Sequence, residues 1–426
     1  MRHCLPPLAS FFLMLAVTTA ATTTCQTFAA NAPLVESYLS EGELSTGAAE
    51  LAKQISQSPD DQQARFSLGI IHFLQAIEGL GQAQHQFGLL QHRVRRVPLF
   101  RIPIPPNDKP EELSYEKARQ IVADFLKDLE KAEATLAEVD TTEVKLPLHL
   151  GRVRLDLDGD GEATDEETFW RIFAMFDGRV GRDIGEAFRI GLDGGDVHWL
   201  RGYCHVAMSL CEFALAHDWR EVFERCAHLI YPRVKTPHTF LADEQMDPLR
   251  WTFDFRLIAD VIAYIHLLNF PVEEPDRMAS ALKHLHAVVA QSRASWTRIL
   301  SETDDDGEWL PGPDQTGVIP GVRIRQEIID GWHGVLDEAE SILRGQKLIP
   351  FWRGYKEKPS EVFTQRRGIN LKRVFTEPKR FDVVMWATGT GATPFLETGE
   401  LTKRETWGRL TQIFGSNFLG FAFWFN

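Results

Sequence analysis

One short acidic segment, residues 156–167, constrains the local fold of this chain more than any other feature. It reads DLDGDGEATDEE, with aspartates at its first, third and fifth places and a glutamate at its twelfth. Carboxylate and carbonyl oxygens at this spacing are the ligands that Ca²⁺ prefers. Gly161, at the sixth place, allows the sharp turn that wraps these oxygens around one ion. The segment predicts a calcium-binding loop, and an acidic surface turn that caps a helix is the alternative.

The segment resembles the loop of the EF-hand family, and the resemblance covers these twelve residues only. It implies that Glu162 offers its backbone carbonyl, that Thr164 ligates directly or through a water, and that Glu167 closes the site with both carboxylate oxygens. The implied ligands are Asp156, Asp158, Asp160, Glu162, Thr164 and Glu167. A single loop of this type implies a structural ion, bound with a Kd on the order of 10⁻⁴ to 10⁻³ M.

Two departures from the family pattern predict a different setting for the loop. Residues 146–155 contain a proline, a glycine and partial alternation, so we expect an extended or irregular entry where the family has a helix. Ala163 occupies the eighth place, where the family prefers a branched apolar residue, so we expect an unpaired loop. Thr164 stands three residues before Glu167, which predicts a capping box and an exiting helix over residues 167–176.

A second acidic turn, ETDDDGE, occupies residues 302–308. Aligned on its glycine, Glu302, Asp304 and Asp306 fall at the first, third and fifth places of the same pattern. The twelfth place is then Pro313, whose side chain cannot ligate an ion. The turn therefore predicts either a degenerate ion site or a solvated loop after a helix.

The composition is that of a globular protein with an acidic surface. The chain of 426 residues is 44% hydrophobic and 25% charged, and its length predicts two or three domains. Its formal net charge is −14. Nucleic acid and anionic membranes are disfavoured as partners, because phosphates are bound by clustered lysine and arginine.

The N-terminus has the pattern of an export signal. Arg2 and His3 precede the apolar stretch Leu8–Val17, and small residues follow. Residues 1–21 are predicted to be a signal peptide, whose apolar core is too short to span a bilayer, and the protein is expected to be periplasmic or secreted. A lipoprotein is less favoured, because three threonines before Cys25 match the lipidation signal poorly. A buried N-terminal helix is the further alternative.

Apolar residues at helical spacing predict a mainly α protein, built from helical hairpins or a repeat-like bundle. The mature chain contains no predicted transmembrane span. The predicted regions are an N-terminal helical region (33–145) with a proline-rich, non-helical arm (93–112), a second helical region (146–345) that holds the calcium loop, and an irregular glycine- and aromatic-rich C-terminal region of mixed structure (346–426).

Individual helices are predicted where the apolar stripe is continuous. We expect helices at 34–57, 61–94, 114–139, 196–213, 219–230, 251–270, 276–300, 322–343 and 402–414. The segment 251–270 is apolar on nearly all sides, which predicts a central buried helix. Asp196 is expected to cap the helix that begins there.

The junction between the first two predicted helices resembles that of tetratricopeptide repeats. Pro59 closes one helix, and the pair Leu68-Gly69 allows close packing in the next. The match ends at Gly69, and His85 stands where the repeat pattern has a small residue. The resemblance implies a repeat array, and an ordinary helical hairpin is the alternative.

A charged face on the predicted helix 322–343 supplies another candidate site. Asp330, His333, Asp337 and Glu340 share this face, and histidine with carboxylates at helical spacing can hold a metal. The sequence around His333 is similar to the Gly-x-His motif of imelysin-like periplasmic proteins. The acid of that motif comes one residue late here, at Asp337. A solvated helix face is the alternative.

These patterns lead to two functional expectations. The first is an exported calcium-binding helical protein of the cell envelope, acting as a binding or scaffold module for an unidentified protein or small molecule. The second is an envelope metal-dependent hydrolase with a site around His333 and Asp337. The chain contains neither a His-Glu-x-x-His nor a Gly-x-Ser-x-Gly pattern, so the sequence leaves catalysis open.

Overall fold

In the computed structural model the chain is mainly helical, which confirms the predicted fold class. The structure describes residues 33–94, 102–176, 181–240, 255–318, 323–353, 367–402, 408 and 422. The predicted signal peptide and most of the helix predicted at 402–414 lie outside these residues.

The described helices vary from one turn to seven turns. They are α1 (Leu34–Glu41), α2 (Leu44–Gln57), α3 (Gln62–Gln86), α4 (Gln91–Val94), α5 (Tyr115–Ala137), α6 (Trp170–Phe176), α7 (Arg182–Glu186), α8 (Gly194–Ala216), α9 (Arg220–Cys226), α10 (Phe255–Leu267), α11 (Pro275–Ile299), α12 (Gln326–Leu343), α13 (Leu371–Thr376) and α14 (Val383–Ala387).

Short strands join distant parts of the chain. They are β1 (Lys145–His149), β2 (Arg189–Asp193), β3 (Asn269–Phe270), β4 (Ile349–Pro350), β5 (Arg367–Ile369), β6 (Phe381–Asp382) and β7 (Leu396–Thr398). β1 pairs with β2, β3 with β6, and β5 lies between β4 and β7, all antiparallel. In the first pair Lys145 lies opposite Asp193.

The main core lies where α3, α5 and α8 pack in succession, with α2 outside α3 and α11 against α8. The closest approach of α3 and α5 is at Gly69, where an added Cβ would lie 2.4 Å from Cδ2 of Leu136. The predicted close packing at Leu68-Gly69 is therefore present. A second cluster around Trp296 and Trp332 joins α11 to α12 and α13. Through α13, residues of the C-terminal region share the core of the helical region.

Several predicted helix boundaries were wrong. The predicted helix 34–57 is two helices, because Gly42 takes a left-handed φ of 75° and its N–H closes α1 on Tyr38 O. The predicted helix 61–94 is interrupted after α3, and the arm predicted to be non-helical from 93 begins within the single turn of α4.

The cap of α8 was also predicted one turn late. Asp193 is the N-cap, since its side chain accepts from Gly195 N at 2.7 Å and from Asp196 N at 3.4 Å. Asp196 is the third helical residue and returns a hydrogen bond to Asp193 N at 3.1 Å, which completes a capping box.

The predicted central buried helix is instead exposed along its described side chains. Ile262 and Tyr264 of α10 are 52% and 47% exposed. An apolar composition on all sides predicts burial, yet these side chains stay about half exposed, although α10 contacts α9 and α14. Among the same residues, no helix has the length and apolar character needed to cross a membrane.

Candidate metal centre

The acidic loop 156–167 is closed at its base by its own flanking residues. β1 and a short 3₁₀ turn lead into it, so the entry is extended, as the sequence predicts. Arg154 and Thr168 form an antiparallel bridge, and Phe169 N donates to Val153 O at 2.9 Å. The chain thus enters and leaves the loop side by side.

Strand-like alternation sorts the side chains at the start of the loop. Leu155 and Leu157 are each 1% exposed and pack in the main core. Asp156 and Asp158 alternate with these two leucines in the sequence, and their side chains therefore point to the opposite side. Gly81 of α3 makes room for this docking, because a Cβ there would lie 2.5 Å from Cδ2 of Leu157. Apolar anchors on one side thus hold two carboxylates on the other.

The aspartates bind the backbone of their own loop. Asp156 accepts from Gly159 N at 2.8 Å and from Gly161 N at 3.1 Å. Asp158 accepts from Asp160 N at 3.1 Å. Gly159 and Gly161 have φ values of 76° and 93°, which only glycine adopts without strain. The loop is therefore curved around its carboxylates by local hydrogen bonds.

Glu167 ties the two ends of the loop together. Its side chain is buried, with the residue 1% exposed. Its Oε1 accepts from Leu157 N at 2.7 Å and from Asp158 N at 3.2 Å, and its Oε2 accepts from the backbone N and Oγ1 of Thr164, both at 2.8 Å. The predicted capping box is present.

Three of the six implied ligands converge. One carboxylate oxygen each from Asp156, Asp158 and Glu167 lies within 4.8 Å of the other two. The Asp160 carboxylate is exposed and lies outside this group. The Thr164 hydroxyl lies beside the group, 2.8 Å from Glu167 Oε2, and the backbone carbonyl expected of Glu162 stays a prediction. Three carboxylates can anchor a calcium ion, whose remaining oxygen positions are taken by backbone carbonyls or waters in sites of this chemistry.

A polar stripe on α3 faces the loop, and sequence analysis missed it. Glu78 accepts from Asp156 N at 2.9 Å, Gln82 donates to Asp156 O at 2.8 Å, and a ring nitrogen of His85 lies 3.0 Å from Asp158 O. Burial raises the pKa of Glu78 to about 7, and the charge of Asp156 adds to the effect. These polar residues are three or four positions apart in an otherwise apolar helix, and this spacing could have predicted that one face of the helix meets a polar group.

Other acidic residues of the loop have different partners. Asp165 binds Arg154 at 2.7 Å and Arg182 at 2.6 Å, so its charge is balanced by these two arginines.

The exiting helix was predicted from 167, but α6 begins only at Trp170, after a 3₁₀ turn over Asp165–Glu167. The helix cannot begin earlier because Thr168 is extended and bridges back across the base of the loop.

The second acidic turn divides into an exposed and a buried part. Lys145 of β1 forms ion pairs with Asp304 and with Asp306. The residues at the third and fifth places of the pattern therefore bind a lysine. Glu302 points elsewhere, toward Asp193 and Glu308. The expected arrangement of Glu302, Asp304 and Asp306 around one ion is therefore not formed, because the lysine takes two of the three.

The charged face of α12 does not assemble into a comparable group. Asp337 is 71% exposed along its side chain and pairs with Arg293 at 2.7 Å. Glu340 also pairs with Arg293, at 3.1 Å, and with Arg344 at 2.6 Å. Among the described residues, neither His333 nor Asp337 belongs to a group of three ligands close enough for one metal ion.

Comparison with known proteins adds no assignment: the chain matches no family model, no curated protein and no solved structure.

Proposed function

We propose that this chain is a calcium-binding helical protein in which loop 156–167 binds one structural Ca²⁺. The observation that carries the proposal is the convergence of Asp156, Asp158 and Glu167 within 4.8 Å, in a loop already curved by its own hydrogen bonds. Oxygen-only ligands with three negative charges favour a hard divalent cation. The ion would relieve the repulsion among these carboxylates.

The surroundings of the loop support a structural role for the ion. The loop contacts α3 through Glu78 and Gln82, and its Ala163 lies against Gly42 in the turn between α1 and α2. An ion there would tie three segments of the N-terminal core to one point. The physiological role we propose is an exported binding or scaffold module of the cell envelope, supported by the signal-like N-terminus.

Calorimetric titration with Ca²⁺ tests the loop directly. The wild-type mature chain should bind with a Kd on the order of 10⁻⁴ to 10⁻³ M. The double variant Asp156→Asn, Asp158→Asn should lose this binding while keeping side-chain shape. Glu166→Gln is the matched control, since it removes one charge from an exposed residue of the same loop and should bind as the wild type does.

Thermal unfolding supplies an independent readout. With a Kd of about 10⁻⁴ M and about 1 mM Ca²⁺, linkage stabilises the folded state by about 1.4 kcal/mol, which raises Tm by a few degrees. The double variant should gain less from calcium than Glu166→Gln does. Equal binding and equal gains in both variants would reduce the loop to a helix-capping turn.

A further inference from the structure

A second group of buried carboxylates lies at the junction of β2, α8 and the turn after α11. One oxygen each from Asp193, Glu302 and Glu308 lies within 4.8 Å of the other two. Asp193 and Glu308 are 9% and 3% exposed, and the Glu302 side chain is 6% exposed. Asp196, 5% exposed, lies beside them in the first turn of α8.

The backbone holds these carboxylates in place. Asp193 caps α8 through Gly195 N at 2.7 Å. Glu308 accepts from Asp306 N at 3.0 Å, and its own carbonyl accepts from Val318 N at 2.9 Å. Gly191 N of β2 donates to Gly307 O at 3.1 Å, which fixes the turn against the strand. The group is therefore preformed by hydrogen bonds between distant segments.

The basic side chains nearby compensate the group only in part, since its ion pair with Arg298 is a long one. Lys145 is engaged with Asp304 and Asp306. Arg298 Nε stays 3.9 Å from Glu302 Oε1, beyond hydrogen-bond distance.

One oxygen of the group has no hydrogen-bond donor at all. Glu302 Oε1 is buried without a hydrogen-bond donor and has only the 3.9 Å ionic contact with Arg298 Nε, whereas its Oε2 accepts from Gln315 Nε2 at 3.5 Å. A buried, unsatisfied carboxylate oxygen beside other carboxylates is costly unless a ligand covers it. Burial also raises the pKa of Glu302 to about 8 and that of Glu308 to about 7, and the charge of Asp193 adds to both effects. The group accordingly requires either a cation or bound protons.

We propose that Asp193, Glu302 and Glu308 bind a second hard divalent cation, Ca²⁺ or Mg²⁺, independently of loop 156–167. The ligands are all carboxylate oxygens, which selects hard cations over those that prefer nitrogen or sulfur. The ion satisfies the orphan oxygen of Glu302 and joins the end of β2 to the turn after α11. It thereby fastens the ends of α8 and α11, which pack along each other.

The test counts bound cations by equilibrium dialysis of the full chain, with Ca²⁺ and with Mg²⁺ in separate arms. In the Asp156→Asn, Asp158→Asn background, one equivalent of either ion should remain. Adding Glu302→Gln and Glu308→Gln should weaken this binding by about tenfold or more, since even outer-shell changes weaken metal sites by that amount. Asp304→Asn with Asp306→Asn is the matched control in the same turn and should leave binding unchanged.

Thermal unfolding distinguishes a variant that has lost the cation site from one that has simply misfolded. In EDTA, the Glu302→Gln, Glu308→Gln variant should melt at or above the wild-type Tm, because it removes buried repulsion. In excess cation, the order should reverse. Equal cation-induced Tm shifts in the two proteins, or no cation bound in the Asp156→Asn, Asp158→Asn background, would overturn the inference and assign protons to the group. Loss of loop binding alone would leave it intact.

Discussion

Glu167 is held by residues close to it in the chain, through its capping box with Thr164. The capping box with Thr164 and the place of Glu167 in the acidic loop were predicted from residues that lie three to eleven positions before Glu167 in the sequence. Local hydrogen bonding fixes such arrangements with little help from the rest of the chain. Glu78 and Glu308 could not be predicted in the same way. Both reach their sites through packing of segments that are distant in sequence.

Gly42 provides a test at the scale of one residue. Its φ of 75° disfavours any side chain, and an added Cβ would lie 2.1 Å from Cβ of Ala163. Gly42→Ala should therefore lower the free energy of unfolding by about 2–4 kcal/mol, from backbone strain plus steric overlap. Gly161→Ala is the comparison, because Gly161 has a φ of 93° but open space around its Cα.

The strain-only variant Gly161→Ala should cost about 1 kcal/mol. Urea unfolding in EDTA measures both variants without a contribution from bound ions. Equal losses would show that the turn between α1 and α2 can move away from the acidic loop.

At the scale of elements, the strongest predictions were the long amphipathic helices. α5 and α11 lie within a few residues of the predicted 114–139 and 276–300, because a continuous apolar stripe and a clear start fix them locally. The prediction that the helix 251–270 is buried was wrong. Composition shows how apolar a helix is, but it does not show whether another element covers it. The break at Gly42 was readable as a helix-ending glycine.

Two helical glycines give a matched test of element packing. Gly334 in α12 has open space where a Cβ would lie, so Gly334→Ala should stabilise the protein by about 0.5–1 kcal/mol through helix propensity. A Cβ added at Gly69 in α3 would lie 2.4 Å from Cδ2 of Leu136, so Gly69→Ala should destabilise the protein despite the same propensity gain. Urea midpoints moving in the same direction would contradict the close packing of α3 on α5.

At the scale of the whole molecule, one charged junction fastens the N-terminal helices to α8. Glu133 of α5 accepts from Arg201 at 2.8 Å and lies 3.5 Å from His205, both on α8. His205 in turn contacts His284 of α11, with 3.1 Å between their Nδ1 atoms. The hydrogen bond from His205, with the charge of Arg201, lowers the pKa of Glu133 to about 2.

This shift predicts an acid-sensitive component of stability. Because the pKa of Glu133 is lower in the folded protein than the ordinary 4.5, its contribution is present above pH 4.5 and is lost as pH falls toward 2. Glu133→Gln should therefore cost on the order of 2–3 kcal/mol at pH 7 and progressively less in acid. Urea unfolding from pH 7 to pH 3 measures the difference. Glu130→Gln, an exposed change on the same helix, should show neither the cost nor the pH dependence.

The overall class was predictable where the global arrangement was not. Helical periodicity identified a mainly α protein, because a helix that buries one face has apolar residues three or four positions apart in the sequence. The pairing of β3 with β6, and the contact of α13 with α11, join residues more than seventy positions apart. No local pattern specifies such contacts. The buried group at Asp193 depends on another contact of this kind, between Asp193 and the turn that holds Glu302 and Glu308, and was missed for that reason.

The anchoring of the acidic loop on α3 has a kinetic consequence. The hydrogen bond between Asp156 N and Glu78 spans 78 positions in sequence. Contacts of such long range form only after the intervening chain has been ordered, because loop closure is entropically costly. The anchoring of the loop on α3 is therefore expected to arise late on the folding route, after the loop's own local hydrogen bonds. An ion that binds there slows the opening of the finished protein far more than it speeds its formation.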